Sequence, residues 1–153
     1  MSKEKSSNSY EPYGLSGKAF QFTRDDLAAN RAGFMTLSQQ FGFKFWERKV
    51  YGWLLRLPVI NQLHKTRRKA YKVTGKIRKH YHSKIIFTGS GGSGGGHQDI
   101  IEQRRIQVVS TEGVTTFYVT EKQYNALPEN LELTLYYDKM ENRIISVEPL
   151  PKT

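Results

Sequence analysis

The feature that most constrains the fold is a two-residue alternation over residues 69–88, KAYKVTGKIRKHYHSKIIFT. Its odd positions, from Tyr71 to Phe87, are mostly apolar or aromatic, whereas its even positions, from Lys72 to Lys84, are mostly basic. A period of two is the side-chain period of a β-strand that has one face on a core and one face in water. The stretch therefore predicts a long strand, which is either bent or divided near Gly75.

Further strands are predicted downstream of this one. Strand-like segments occupy 99–111, 114–120, 131–137 and 143–147, with turns at 112–113 and 138–142 and a short helical turn within 121–130. With helices ahead of it, this pattern predicts an α+β fold: short N-terminal helices, then a small antiparallel β-sheet or barrel of about five strands, of the size of OB and SH3-like folds.

Residues 89–96 contain only Gly and Ser and separate two of the predicted strands. A flexible Gly/Ser chain of this length spans roughly 16 Å, which joins neighbouring antiparallel strands but does not suit a parallel crossover. We therefore expect a hairpin between 70–88 and 98–111. The run is a natural loop, a replacement of a longer segment, or a linker that joins two pieces. It lacks the lysine of a phosphate-binding loop, so we expect no nucleotide site there.

The N-terminal part of the chain reads as a tail followed by helices. Residues 1–20 are polar and lack periodicity, which predicts disorder. Thr23 as a cap and Gly33 as a stop predict a helix over 24–32. A capping box of Thr36 and Gln39 predicts a second helix over 37–56 that ends before Pro58, with one or two helical turns after it. The chain thus divides into a 1–20 tail, a 21–68 helical segment rich in basic and aromatic residues, and a 69–153 β domain.

Positive charge is concentrated in one part of the chain. The net charge is +10, and residues 44–88 hold 13 Lys and Arg against one acid, Glu47. The sums for 1–43, 44–88 and 89–153 are +1, +12 and −3. A block of this kind favours anionic partners, although a solvated basic surface that maintains solubility is the simpler interpretation. The candidate residues for contact with an anionic partner are Lys65, Arg67, Arg68, Lys69, Lys72, Lys76, Arg78 and Lys84.

The segment around residues 41–57 combines many apolar side chains with interleaved cations. Trp beside Lys and Arg is typical of a helix that lies in a membrane interface. Packing on a sheet, with the cationic stems extended to solvent, would produce the same pattern. The candidate residues for a membrane interface are Phe43, Lys44, Phe45, Trp46, Arg48, Lys49 and Trp53.

The sequence offers little that resembles catalytic chemistry. It has no Cys, which excludes disulfides, thiolate zinc sites and Cys nucleophiles. His80 and His82 share one face of the predicted strand, but the surrounding lysines and arginines disfavour a metal ion. No Ser/His/Asp arrangement and no pair of carboxylates stands out. We therefore predict a protein that is not an enzyme and that has no cofactor and no metal.

Two stretches resemble a group of small, mostly uncharacterised bacterial membrane proteins. DLAANRAGFMTLSQQ (26–40) is similar to their N-terminal signature of the LxxNRxGxLSxxQ kind, and 115–149 is similar to their C-terminal β module. The resemblance covers about a third of the chain and implies a cytoplasmic module tethered to a bilayer. This chain departs from the group because it has no run of 18 apolar residues. Either 41–60 is an interfacial substitute, or membrane segments are missing here, or the relation is false.

These observations leave two functional hypotheses. The first is a non-catalytic interaction module at the cytoplasmic face of a membrane, which binds an anionic membrane surface or a membrane-protein assembly through the basic block. The second is a small β-barrel protein that binds nucleic acid, in particular RNA. Tyr71 and Tyr81 lie on the face opposite the basic stripe, and this argues against stacking of single-stranded bases on that face.

Overall fold

The computed structural model describes residues 17–54, 57–58, 67–89 and 96–150. The helices in these residues are α1 (Gly17–Phe20), α2 (Arg24–Arg31), α3 (Leu37–Gln40), α4 (Phe45–Tyr51) and α5 (Glu121–Ala126). The strands are β1 (Tyr71–Thr88), β2 (His97–Ser110), β3 (Gly113–Tyr118), β4 (Glu132–Asp138) and β5 (Arg143–Pro149). Short N-terminal helices followed by an antiparallel sheet confirm the predicted α+β class.

The five strands form one antiparallel sheet in the order β3-β2-β1-β4-β5. The sheet is open in the described residues, because β3 and β5 are its edges. The two edges nevertheless approach each other: the Asn142 side-chain amide, beside β5, donates a hydrogen bond of 3.2 Å to the Thr116 carbonyl of β3. The fold is therefore a curled sheet and not a closed barrel.

Strand β1 is continuous, but it changes partners in its middle. Residues 71–76 pair with β4, and residues 76–88 pair with β2, which confirms the predicted hairpin. Gly75 lies at the change. A Cβ atom on Gly75 would lie 2.3 Å from the Val109 carbonyl oxygen, so only glycine allows β2 to approach β1 so closely there.

Because the neighbours leave at different points, one end of the hairpin extends beyond the sheet. The backbone hydrogen bonds from β1 to β4 and to the loop before β4 end at Ile77. Those from β2 to β3 and to Val119, the residue after β3, end at Arg104. Residues 81–88 and 97–104 pair with each other, and apart from the Val119–Arg104 hydrogen bond at the base they have no other strand partner among the described residues; we call them the arm. At about 3.3 Å per residue the arm is roughly 25 Å long.

A single hydrophobic core joins the helices to the sheet. Phe20, Phe22, Leu27 and Met35 from the N-terminal segment are buried together with β-strand residues such as Ile77. The change of secondary structure at residue 69 is therefore not a boundary between separate cores. Phe20 in α1 is 5% exposed, so the predicted disordered tail, which included residue 20, overlaps the folded part; residues 1–16 lie outside the described residues.

The helix predictions were partly right. Helix α2 has the predicted Thr23 cap, which forms a capping box with Asp26, and its end at Arg31 is one residue from the prediction. The capping box of Thr36 and Gln39 is also present. The single helix over 37–56 is wrong, because Gly42 adopts φ 66° after α3 and the chain restarts as α4. No helix of the described residues is both long enough and apolar enough to cross a bilayer.

Candidate functional site

Two cations of the basic block are held by ion pairs. Arg48 pairs with Asp26, whose side chain is 3% exposed, and donates a further hydrogen bond of 2.8 Å to the Gln21 carbonyl. Arg68 lies 3.1 Å from Asp138, which is also buried, and 3.6 Å from Glu141. Both arginines therefore join distant parts of the chain, which makes them contributors to the fold as well as to the surface charge.

The other predicted cations are distributed around the start of the sheet and along β1. Lys72, Lys76, Arg78 and Lys84 are exposed and have no ion-pair partner among the described residues. Arg67 and Lys69 are exposed just before β1. Lys65 lies outside the described residues. The structure thus places four of the predicted cations on one strand, with their side chains on one face.

Helix α4 is attached to the protein by polar contacts and has no buried residue. Arg48 holds it to α2, and the Phe45 backbone N–H donates to the Gln21 side chain at 2.9 Å. Phe43 and Phe45 are half-buried; the Phe43 ring stacks near Phe41, and the Arg48 guanidinium lies over the Phe45 ring. Most short helices depend on burial of an apolar face, which α4 does not have.

Helix α4 and the turn after it carry a row of exposed apolar side chains. Trp46 and Val50 of α4 are 59% and 53% exposed and lie four residues apart, on one face of the helix. Trp53 lies two residues after the end of α4, continues this row at a spacing of three residues, and is 63% exposed. Lys49 is exposed beside them. We call Trp46, Lys49, Val50 and Trp53 the tryptophan face. Lys44, at the start of the helix, is also exposed.

A second exposed surface lies on β1, β2 and β3. Side chains that are directly opposite in an antiparallel pair share a face. The register therefore places three rows on one face: His80–Arg105–Tyr118, Arg78–Gln107–Thr116 and Lys76–Val109–Val114. Along the arm the same face continues with His82 and Lys84. We call this surface the open face.

Two residues of the open face, Arg105 and Tyr118, are absent from the site residues predicted from the sequence. Tyr118 is 62% exposed and lies opposite Arg105, so an aromatic ring does accompany the basic stripe. A signal for it existed in the sequence. The turn before Gly113 pairs Ser110 with Gly113, and this register places Tyr118 opposite Arg105.

The remaining part of the same face, on β4 and β5, is covered by α2. The Asn30 side chain accepts a hydrogen bond of 2.6 Å from the Ser146 hydroxyl, and the Arg31 guanidinium pairs with Glu148. The Tyr136 hydroxyl donates a hydrogen bond of 2.6 Å to Glu148. Burial and this hydrogen bond to a carboxylate raise the pKa of Tyr136 to about 12.

The opposite side of the arm has a different character. Tyr81 donates a hydrogen bond of 3.0 Å to Glu102, which also pairs with Arg104 at 2.8 Å. The hydrogen bonds from Arg104 and Tyr81 lower the pKa of Glu102, and the hydrogen bond to Glu102 raises the pKa of Tyr81. Farther along the arm on this side, the apolar residues Ile85, Ile100 and Phe87 are exposed.

The described residues bring together no group of three or more His, Cys, Asp or Glu that could hold a metal ion. His80 and His82 are both exposed, and a ring nitrogen of His80 lies 2.8 Å from the Gln107 side-chain oxygen. A wide groove of about 930 Å³ lies between α1 and α5, where Lys18, Lys44 and Lys122 are among its lining residues. Glu121, a carboxylate that also lines the groove, lies 3.8 Å from Arg104.

Searches against protein-family models, curated proteins and solved structures found no match to this chain. The resemblance to bacterial membrane proteins therefore stays a prediction.

Proposed function

We propose that the protein is a non-catalytic interaction module that binds an anionic membrane surface. The observation that carries the proposal is the tryptophan face, where Trp46, Val50 and Trp53 are each more than half exposed beside Lys49. Transfer of such apolar side chains from water into the boundary between lipid headgroups and acyl chains has a favourable free energy. The indole ring suits this boundary because it is apolar with one polar N–H.

Electrostatics supports an anionic membrane rather than a neutral one. Lys44 and Lys49 are exposed at the tryptophan face, and each cation near an anionic leaflet contributes on the order of 1 kcal/mol. The net charge of +10 adds a long-range attraction, which accelerates encounter and is screened by salt. A membrane-protein assembly with an acidic surface would satisfy the same charges.

The non-catalytic part of the proposal is supported by the state of the polar side chains. The carboxylates Asp26, Asp138 and Glu148 are in ion pairs with arginines. Among the described residues, the groove between α1 and α5 is lined mainly by cations, amides and small side chains, with Glu121 as the one acid. An acid–base pair or an activated nucleophile needs partners that this set does not supply.

A vesicle-binding experiment tests the proposal directly. The chain has two tryptophans, and both lie on the tryptophan face, so indole fluorescence reports on this face alone. Vesicles of equal parts phosphatidylcholine and phosphatidylglycerol should shift the emission to the blue and sediment the protein. Vesicles of phosphatidylcholine alone should do so weakly, and high salt should reduce the effect.

Variants separate specific insertion from general attraction. Replacing both tryptophans by alanine should abolish sedimentation with the anionic vesicles, because the apolar contribution is lost. Phe87→Ala is the matched control, since Phe87 is 71% exposed but lies on the arm. Unchanged emission with anionic vesicles, or an equal loss for both variants, would refute the role of the tryptophan face.

A second candidate function, binding of RNA through the sheet, is favoured by a separate observation. Tyr118 on the open face supplies the aromatic ring that a basic nucleic-acid surface needs; it lies opposite Arg105 and on the same face as Arg78. None of these residues belongs to the tryptophan face, so the two candidate functions can be tested independently.

A further inference from the structure

We propose that the open face is a binding platform for single-stranded nucleic acid, with Tyr118 as the side chain on which a base stacks. The inference deepens the second candidate function and uses no residue of α4. Its starting point is the row Tyr118–Arg105–His80, which runs across three neighbouring strands. Strands lie about 4.8 Å apart, so this row covers about 10 Å.

The row consists of side chains that can stack on bases. Tyr118 has a phenol ring, Arg105 a planar guanidinium and His80 an imidazole, and each of these groups is used for base stacking in RNA recognition. Tyr118 is 62% exposed, and no ring contact involving it is present in the described residues. His80 is fixed by its hydrogen bond of 2.8 Å to Gln107, which reduces the entropy lost on binding.

Charge on the open face suits a phosphodiester chain. Lys76, Arg78 and Lys84 are exposed along β1, and none of them, nor Arg105, has an ion-pair partner among the described residues. Glu132 and Asp99 share this face but lie at its two ends, opposite Lys76 and Ile86 respectively. Between these ends the described rows contain no carboxylate, so a chain of phosphates would meet cations along the length of the face.

Two features favour a single strand over a duplex. A duplex buries the faces of its bases, so Tyr118 would have nothing on which to stack. A sheet surface that combines exposed rings with cations instead suits splayed bases whose backbone passes over basic residues. The remaining part of the same face is closed by α2 through Asn30 and Ser146, which limits the platform to β1, β2 and β3.

The test measures fluorescence anisotropy of a labelled uridine oligomer twenty nucleotides long, at two salt concentrations. Tyr118→Ala should weaken binding about tenfold, the loss expected for one stacked base. Tyr118→Phe should bind like the wild type, because the ring remains. Tyr81→Ala is the matched control: Tyr81 is 52% exposed and lies nearby, but on the opposite face of the hairpin.

Charge variants test the path of the backbone. Arg105→Gln should weaken binding and lower the slope of log affinity against log salt by about 0.7, the value for one phosphate contact with a single strand. Lys122→Gln, an exposed cation of α5, should leave the slope unchanged. A thymidine oligomer of equal length distinguishes RNA from DNA as the source of the strand, and a duplex should bind without dependence on Tyr118.

Every outcome bears on the proposal. No binding of the oligomer at all would overturn the second candidate function together with the platform. Binding that falls equally with Tyr118→Ala and Tyr81→Ala, or with neither variant, would overturn the platform alone. A Tyr118→Ala variant that loses anionic-vesicle binding instead would reassign the open face to lipid. The amide spectra of all variants, compared with the wild type, show that the fold is retained.

Discussion

The sheet presents one face in two different ways. On β4 and β5 this face is covered by α2, and its polar side chains are satisfied within the protein: Ser146 bonds Asn30, and Tyr136 bonds Glu148. On β1, β2 and β3 the same face is open, and its cations have no ion-pair partner in the described residues. The side chains of the covered half stabilise the fold through contacts within the protein, whereas those of the open half are exposed to solvent.

The difference shows what a local basic pattern can conceal. The positive block of 44–88 contains cations of two kinds, and the fold separates them. Arg48 and Arg68 pair with acids that lie 22 and 70 positions away in the chain. Lys72, Lys76, Arg78 and Lys84 of β1 are exposed on a face that no helix of the described residues covers. The sequence alone does not distinguish the paired cations from the exposed ones, because ion pairing depends on contacts between residues that are distant in the chain.

The largest effect should come from the covered half. Asn30 is 1% exposed and joins α2 to Gln39 and Ser146 through hydrogen bonds of 2.6–3.0 Å. Asn30→Ala leaves these buried groups without partners, so the free energy of unfolding should fall by about 3 kcal/mol. Urea denaturation measures this change.

The open half provides the matched comparison for that variant. His80→Ala also removes a side-chain hydrogen bond, the one to Gln107, but at an exposed position where water replaces it. Its cost should stay within about 0.5 kcal/mol. If the two variants destabilised the protein equally, the distinction between a covered and an open half would fail.

Sequence reasoning recovered the strands well because their signals are local. The alternation around Ile77 marks one buried and one wet face, and the turn at Glu112–Gly113 separates two strands. It did worse at Gly42, where one helix was predicted and two short ones are present. The apolar periodicity continued through this glycine, but its φ of 66° is incompatible with a continuous helix.

The candidate sites were harder to predict from the sequence than the strands were. Trp46 and Trp53 were identified from composition, but their exposure depends on how Arg48 anchors α4. The alternation within β1 indicates the faces of that strand alone, and it says nothing about the face on which Tyr118 of β3 lies. Pairing register carries a side chain's face from one strand to the next, so the predicted turns already contained the information that places Tyr118 beside Arg105.

In the covered half, the contribution of Tyr136 to the free energy of unfolding should depend on pH. Tyr136 is 4% exposed, and burial together with Glu148 raises its pKa to about 12. An unfolded tyrosine ionises near pH 10, so the stabilisation is fully present below about pH 10 and is lost as the pH rises toward about 12. The advantage of the wild type over Tyr136→Phe should therefore shrink by about 2–3 kcal/mol across this window.

Urea denaturation of both proteins at intervals from pH 9 to 12 measures that difference, since ionisation of the other tyrosines affects both proteins alike. Parallel stability profiles would show that Tyr136 is not enclosed as the contact with Glu148 requires, and the covered half would then be open to solvent as well.

A further small effect is expected for the Gly/Ser run that follows β1. Strands β1 and β2 pair over 13 residue positions, from Lys76–Val109 to Thr88–His97, so the run has only to close a hairpin that the strands already define. Loop-closure free energy rises as about (3/2)RT ln n, and doubling the run should therefore cost about 0.6 kcal/mol. Oligomer and vesicle binding should both remain unchanged, because neither candidate surface includes the run.

Cleavage within the Gly/Ser run should leave the two halves associated through the paired strands. Slow hydrogen exchange of its amides, or loss of binding on lengthening, would instead make the run part of a functional site and would extend the open face to the end of the arm.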